Sequence, residues 1–447
     1  MAAIITPTFR KQLADDLFNS FDDSDNFYIG IGRSEQWNTL DDVVVPVSSL
    51  KEEKQARESL QSIIQVPDRS YVVPKNNWQS GTIYSAYKDN LSAYPNNPYY
   101  VLTQANAVYI CLYANKNSNG VTQASNIEPS GSSKNAFRTG DGYVWKFLYT
   151  LGTAESNKFL SSGYMPVKLV IADPGNTVSD LEQLGIQDSA IPGQIANFDI
   201  VNPGAGYTSD PTVTILGDGT ITAKATATYA AGVITKVVIS DSAGTVMMGR
   251  DYNKVEVVLT GGGSPTTTAV VRAVIAPQGG YGADPRNDLR STAIMFNAKP
   301  AGPQGGDFLI GNDFRQIVLL RDILQYDSSE PFIETTGRAG KKLTKSSGNF
   351  LSFANDGVVV GGISGAKAII DYVDSDQLIV HQTEITGYRT FVTGDTLTTT
   401  EGGSGIMDSE QPPEIDIYSG KLMLIDNRAS ISRSVDQTED IKPIIQF

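Results

Sequence analysis

Ala107-Val108-Tyr109-Ile110-Cys111-Leu112-Tyr113 and Val144-Trp145-Lys146-Phe147-Leu148-Tyr149-Thr150-Leu151 decide the fold class. Each is a short run rich in aromatic and aliphatic residues with Asn or Gly close by at its ends, the pattern of a buried strand. Shorter runs follow the same rule: Phe27-Tyr28-Ile29, Val101-Leu102, Val167 to Ile171, Ile317 to Leu320 and Leu422 to Ile425. Gly, Asn, Pro and Ser punctuate them, as at Asn119-Gly120. The chain therefore reads as mainly β, an antiparallel β-sandwich core with a few helices in side loops and two inserted small β modules.

Two helices are expected near the start. Thr6-Pro7 opens the first, with Phe9, Leu13, Leu17 and Phe21 on one stripe at four-residue spacing. It ends in Asp22-Asp23-Ser24-Asp25, where an EF-hand reading fails because Tyr28 stands at the sixth position, which needs glycine. The second opens on the capping-box pattern Ser49-Leu50-Lys51-Glu52, carries Ala56, Leu60 and Ile63 inward, and is expected to stop at Pro67.

Residues 188–280 are rich in Ala, Gly, Thr and Val and hold an internal repeat. Gly193-Gln194-Ile195 leading to Phe198-Asp199-Ile200 is echoed by Gly232-Val233-Ile234 leading to Val237-Val238-Ile239. Tyr207 with Thr212 to Ile215 is echoed by Tyr252 with Glu256 to Leu259, and Ala223 to Ala227 by Ala269 to Ala273. Each half offers three strands, and the halves are expected to pack as a small sandwich or barrel. A second insertion, 332–405, has strand patterns at 365–373, 377–382 and 394–397, with Gly402-Gly403-Ser404-Gly405 read as its exit linker. The remaining segments, 1–187, 281–331 and 406–447, form the expected core. The tail's Ile441, Ile444-Ile445 and Phe447 imply an ordered terminal strand.

Composition narrows the chemistry. One histidine, His381, and one cysteine, Cys111, in 447 residues rule out a Cys/His zinc cluster, and no metal or cofactor site is expected. His381 lies in the alternating run Leu378-Ile379-Val380-His381 and reads as an ordinary strand histidine, not a catalytic base. Cys111 reads as a small buried apolar residue. With 49 acidic residues, carboxylate-only chemistry stays open. A net charge of −14 argues against a nucleic-acid partner. Met1-Ala2-Ala3-Ile4-Ile5 lacks the basic start of a signal peptide, and no run reaches the roughly 20 apolar residues of a membrane span. A soluble protein made in the cytoplasm, with no membrane partner, is the expectation.

Five tracts outside the insertions carry a family resemblance. They are Gly32-Arg33-Ser34-Glu35 with Trp37; Val73-Pro74-Lys75 with Trp78; Gly140-Asp141-Gly142-Tyr143-Val144-Trp145; Phe314-Arg315-Gln316-Ile317; and the ending from Ser419-Gly420 through Asn427-Arg428 and Asp436-Gln437-Thr438-Glu439 to Phe447. In order and rough spacing they resemble the gene-eight-product family, the baseplate wedge subunit of T-even-type contractile phage tails. The resemblance implies a non-enzymatic structural protein of the virion tail baseplate, a homodimer within each wedge beside other wedge proteins. It marks Arg33, Glu35, Trp37, Trp78, Asp141, Tyr143, Trp145, Phe314, Arg315, Arg428, Asp436 and Glu439 as structural or interface positions. The two inserted modules depart from that family and resemble repeats in structural proteins of cyanophages with contractile tails.

Competing readings attach to particular residues. Gly140-Asp141-Gly142 lacks the Lys-Ser/Thr of a phosphate loop and reads as a tight turn feeding a strand. Gly30-Ile31-Gly32 has Glu35 where a dinucleotide fingerprint needs its third glycine, and reads as a strand end. Tyr84, Tyr87, Tyr94, Tyr99 and Tyr100 suit packing or subunit contact, with sugar recognition as the other reading. A carbohydrate-binding adhesin with a host-surface glycan on the insertions, and a carboxylate-based tail glycosidase, are the alternatives.

Overall fold

Ala107–Tyr113 is buried along its whole length, because both faces of the strand meet other side chains. It pairs antiparallel with Val144–Thr150, Cys111 opposite Trp145, and Tyr100–Leu102 and Phe137–Arg138 complete a four-stranded sheet. The computed structural model describes residues 4–21, 26–171, 177–300, 311–432 and 439–447. Mainly β architecture with few helices holds throughout. The expected features at Met1-Ala2-Ala3, Asp22-Asp23-Ser24-Asp25 and Asp436-Gln437-Thr438 lie outside the described residues. The chain divides into two units, 1–11 with 70–293, and 12–69 with 294–447. This division cuts the expected core at 11/12, 69/70 and 293/294 and leaves 188–280 wholly inside the first unit.

In the first unit the core under the four-stranded sheet contains Tyr84, Val101, Tyr109, Cys111, Tyr143, Trp145, Phe147 and Ile186. The 188–280 repeat does fold as six strands, but the halves are interlaced. The first strand of each half pairs with the last strand of the other: Ile195–Asn202 with Val270–Ile275, and Val233–Ile239 with Ala225–Ala230. The middle strands, Pro211–Gly217 and Val255–Gly261, pair with each other. An approximate two-fold results, and two buried tyrosines obey it. Tyr207 Oη accepts from Ala269 N at 2.9 Å, and Tyr252 Oη accepts from Ala223 N at 3.1 Å. Arg272 pairs within the module with Asp199 at 2.5 Å and reaches outside it to Asp89 at 2.6 Å.

The second unit holds a five-stranded sheet in the order Thr336–Arg338, Leu60–Gln65, Phe27–Gly32, Asp313–Arg321, Lys421–Ser432. Gly30 is required here, since a Cβ would come within 2.6 Å of Leu60 Cδ1 and 2.8 Å of Val318 Cγ2. Tyr28, Ile63, Val318, Leu320, Phe332 and Ile415 form its core. The segment after Arg338 closes into a six-stranded barrel in the order Lys341–Asn349, Gln377–His381, Lys367–Val373, Val358–Gly361, Thr396–Thr398, Ser404–Gln411. Leu343, Phe350, Val359, Ile370, Leu378, Val380 and Met407 fill it. The terminal residues are tied down: Phe296 N donates to Pro443 O, and Ala298 and Ile441 bond each other.

Four local expectations are corrected. The first helix, Pro7–Ser20, buries Ala14 and Leu17, while Phe9 and Leu13 are 52% and 36% exposed, so only the lower half of the stripe is used. The second helix ends at Glu58, and Leu60–Gln65 is a strand. Helical and extended spacings both turn Leu60 and Ile63 inward, and sheet pairing decides between them. The strand expected at Val167 to Ile171 is Tyr164–Val167. Gly402-Gly403-Ser404-Gly405 is no exit linker; it turns the chain into Ser404–Gln411, which closes the barrel. Gly405 sits there because Phe350 packs where its Cβ would be, 2.6 Å away.

Candidate functional site

The tract after Phe27–Gly32 leaves the sheet with Arg33 in the left-handed region at φ 60°. Arg33 N donates to Ser59 O at 2.8 Å, and the guanidinium lies over the Trp37 ring at 4.1 Å. Trp37 Nε1 donates to Arg428 O at 2.8 Å, joining the tract to Lys421–Ser432. Arg315, buried on Asp313–Arg321 next to it, donates to the Ser34 carbonyl and pairs with Asp41 at 2.8 Å and Asp313 at 2.9 Å. These contacts aim Ser34 and Glu35 at the outer face of the barrel.

There they meet His381. Leu378 and Val380 point into the barrel, so Ile379 and His381 point out. On the neighbouring strand Ala368 and Ile370 point in, so Ile369 and Asp371 point out; Ile369 pairs with His381, which sets Asp371 diagonally beside the imidazole. His381 Nδ1 is 2.8 Å from Asp371 Oδ2, and Nε2 is 3.4 Å from Glu35 Oε1. Ser34 Oγ donates to Asp371 Oδ1 at 3.2 Å.

Burial by itself would lower the imidazole pKa, but attraction to Asp371, its hydrogen bond and the contact with Glu35 raise it from 6.5 to about 10. For Glu35, burial pulls upward, and the hydrogen bond and charge of His381 overcome it, giving about 2. Burial holds Asp371 above the usual carboxylate range, against the pull of His381. The group is an imidazolium between two carboxylates.

This arrangement is not a serine-nucleophile relay. Ser34 donates to the carboxylate instead of to the histidine, and Ser34, Asp371 and His381 are 0%, 0% and 3% exposed. The cluster is an ionic clamp between the barrel and the tract that leaves the sheet's middle strand. Among the described residues, no group of three or more His, Cys, Asp or Glu is placed to hold a metal ion.

The residues marked from sequence do not converge on one place. Arg33, Glu35, Trp37, Phe314, Arg315 and Arg428 belong to the second unit, with Phe314 buried and Arg428 paired to Asp426 at its surface. Glu439 is buried there too, and Asp436 lies outside the described residues. Trp78, Asp141, Tyr143 and Trp145 belong to the first unit. Asp141 Oδ2 accepts from Asn126 N at 2.8 Å, Ile127 N at 3.0 Å and Ser125 Oγ at 2.9 Å, and so organises a loop. Tyr143 stacks on Trp145 at 5.7 Å, and Trp78 Nε1 donates to Ser125 Oγ at 3.4 Å.

Exposed tyrosines for sugar recognition are not found at the tyrosine-rich stretch. Tyr84, Tyr87, Tyr99 and Tyr100 are buried, and half-buried Tyr94 donates to Leu289 O at 2.9 Å. An open groove of about 470 Å³ carries Glu334 and Glu414, but Glu414 is held by Arg338 N at 2.9 Å. No helix among the described residues is long and apolar enough to cross a membrane.

Sequence reading placed His381 on a strand but missed its charge and both partners. A carboxylate inside the apolar run Ile369-Ile370-Asp371-Tyr372 was the available signal. No protein-family model matches this chain, and no curated protein matches it.

Proposed function

We propose that this chain is a structural component of a contractile phage tail baseplate wedge, holding neighbouring subunits together through protein–protein contacts and pairing with a second copy of itself. The ordered tracts resembling that wedge family motivate the reading. The observation that carries it is the use to which the tract residues are put. Arg33, Glu35, Trp37 and Arg315 join strands far apart in sequence, and Asp141 fixes a loop, so these residues build joints instead of lining a cleft. A scaffold needs such joints to keep its surfaces in register. Labelling the protein in intact particles tests the reading. The label is expected at the distal end of a contractile tail, in a fixed number of copies per wedge. Absence from purified tails, or a place in the head, overturns it.

A further inference from the structure

Pro277-Gln278-Gly279-Gly280-Tyr281-Gly282-Ala283-Asp284-Pro285 repeats the spacing of Pro203-Gly204-Ala205-Gly206-Tyr207-Thr208-Ser209-Asp210-Pro211, with Pro, Gly, Tyr, Asp and Pro at matching places. Gly206 and Gly280 both have positive φ, +80° and +100°, and both tyrosines are buried. Their hydroxyls fare differently. Tyr207 Oη has Ala269 N as its partner, just as Tyr252 Oη has Ala223 N. Tyr281 is 2% exposed, and among the described residues its Oη has no partner.

Tyr281 lines a narrow cleft of about 20 Å³ in the first unit, together with Lys134, Asn135, Lys146, Ser189 and Gln194. Lys146 is 4% exposed there. Its Nζ donates to Lys134 O and makes no ion pair among the described residues, so two of its three N–H groups are left over. No lining side chain is a carboxylate. Asp288 attracts Lys146 from further off, but burial raises that carboxyl from 3.8 to about 8, so near pH 7 it is mainly neutral and leaves the ammonium uncompensated. A buried cation without a counter-ion, beside a buried hydroxyl without an acceptor, selects an anionic oxygen ligand.

We propose that this cleft binds a single carboxylate group, with Lys146 Nζ and Tyr281 Oη donating to its oxygens. The space holds about two water-sized atoms, which matches the two oxygens of a carboxylate and not the four of phosphate or sulfate. Two carriers share this chemistry. One is a free monocarboxylate such as formate; the other is an acidic side chain of a neighbouring protein, entering past Lys134 and Asn135, which are exposed.

Titration of the full chain with labelled formate at pH 7 and constant ionic strength, followed by NMR line broadening, tests the site. Saturable binding with a dissociation constant on the order of 1 mM is expected. Tyr281→Phe should weaken it at least about fivefold by removing one donor to a charged group, and Lys146→Met should abolish it. Tyr281→Phe keeps the ring in place, so the test stands even where Lys146→Met does not fold. Displacement of formate by acetyl-glutamate amide assigns the carboxylate to a protein side chain; formate bound without such displacement assigns a free ion. The proposal is overturned by no saturable binding up to about 50 mM, by binding that ignores Tyr281→Phe, or by displacement with chloride or phosphate as effective as with acetate.

Discussion

His381 keeps its proton because two carboxylates surround it, and this gives the clamp a defined pH window. Its pKa is raised on folding from 6.5 to about 10, so the stability it contributes is complete below pH 6.5 and is lost as pH rises towards 10. Glu35 is lowered from 4.5 to about 2, so its contribution is complete above pH 4.5 and fades as pH falls towards 2. The raised pKa of buried Asp371 offsets part of this gain at neutral pH. His381→Gln is expected to cost about 3 kcal/mol at pH 7 by leaving two carboxylates facing each other. In urea unfolding the gap between wild type and variant should narrow between pH 7 and 10; a gap independent of pH would refute the charged state. His381 was legible as a strand residue through the alternation around it. Its partners were not, because Glu35 is 346 positions away and the register that sets Ile369 opposite His381, and so Asp371 beside it, appears only in the folded barrel.

The repeat in 188–280 was visible as strands, and even the matched pairs Tyr207/Tyr252 and Ala223/Ala269 could be aligned. What alignment could not supply is that each tyrosine serves the other half's alanine, since strand choice depends on contacts between halves. Tyr207→Phe and Tyr252→Phe should each cost about 1–2 kcal/mol, since each leaves a buried N–H unpaired. Near-equal losses in thermal unfolding support the two-fold; a cost at one site only contradicts it. The Gly140-Asp141-Gly142 turn makes a sharper demand. Gly142 has φ +87°, and a Cβ there would sit 2.7 Å from Asn115 Cγ. Gly142→Ala should lower stability by about 1–3 kcal/mol, read as a drop in melting temperature. The second helix shows the opposite case, where a correct capping signal at Ser49 did not reveal that helix gives way to strand after Glu58.

At the scale of the molecule, both insertions leave and rejoin the chain at paired residues, Ile195 opposite Ile275 and Lys342 opposite Gln411. Replacing 196–274, or 343–410, by a short turn should therefore leave a protein that still unfolds in one cooperative transition, at lower temperature, by calorimetry. Broad, non-cooperative melting would show that insertion and host share one core. Strand texture made the insertions legible, but their edges were blurred, since Ser404–Gln411 looks like a glycine linker until its barrel partners are known. The same paired ends set how the protein carries force. Tension along the backbone enters at Ile195 and leaves at its ladder neighbour Ile275, so one rung bears the load while the strands beyond it stay slack. A ladder gripped this way unzips rung by rung at low force, whereas strands drawn from opposite ends resist in shear with all rungs together. Once the zipper opens, the 195–275 segment can pay out about 260 Å of chain, which makes the module a reserve of length in series with the host unit.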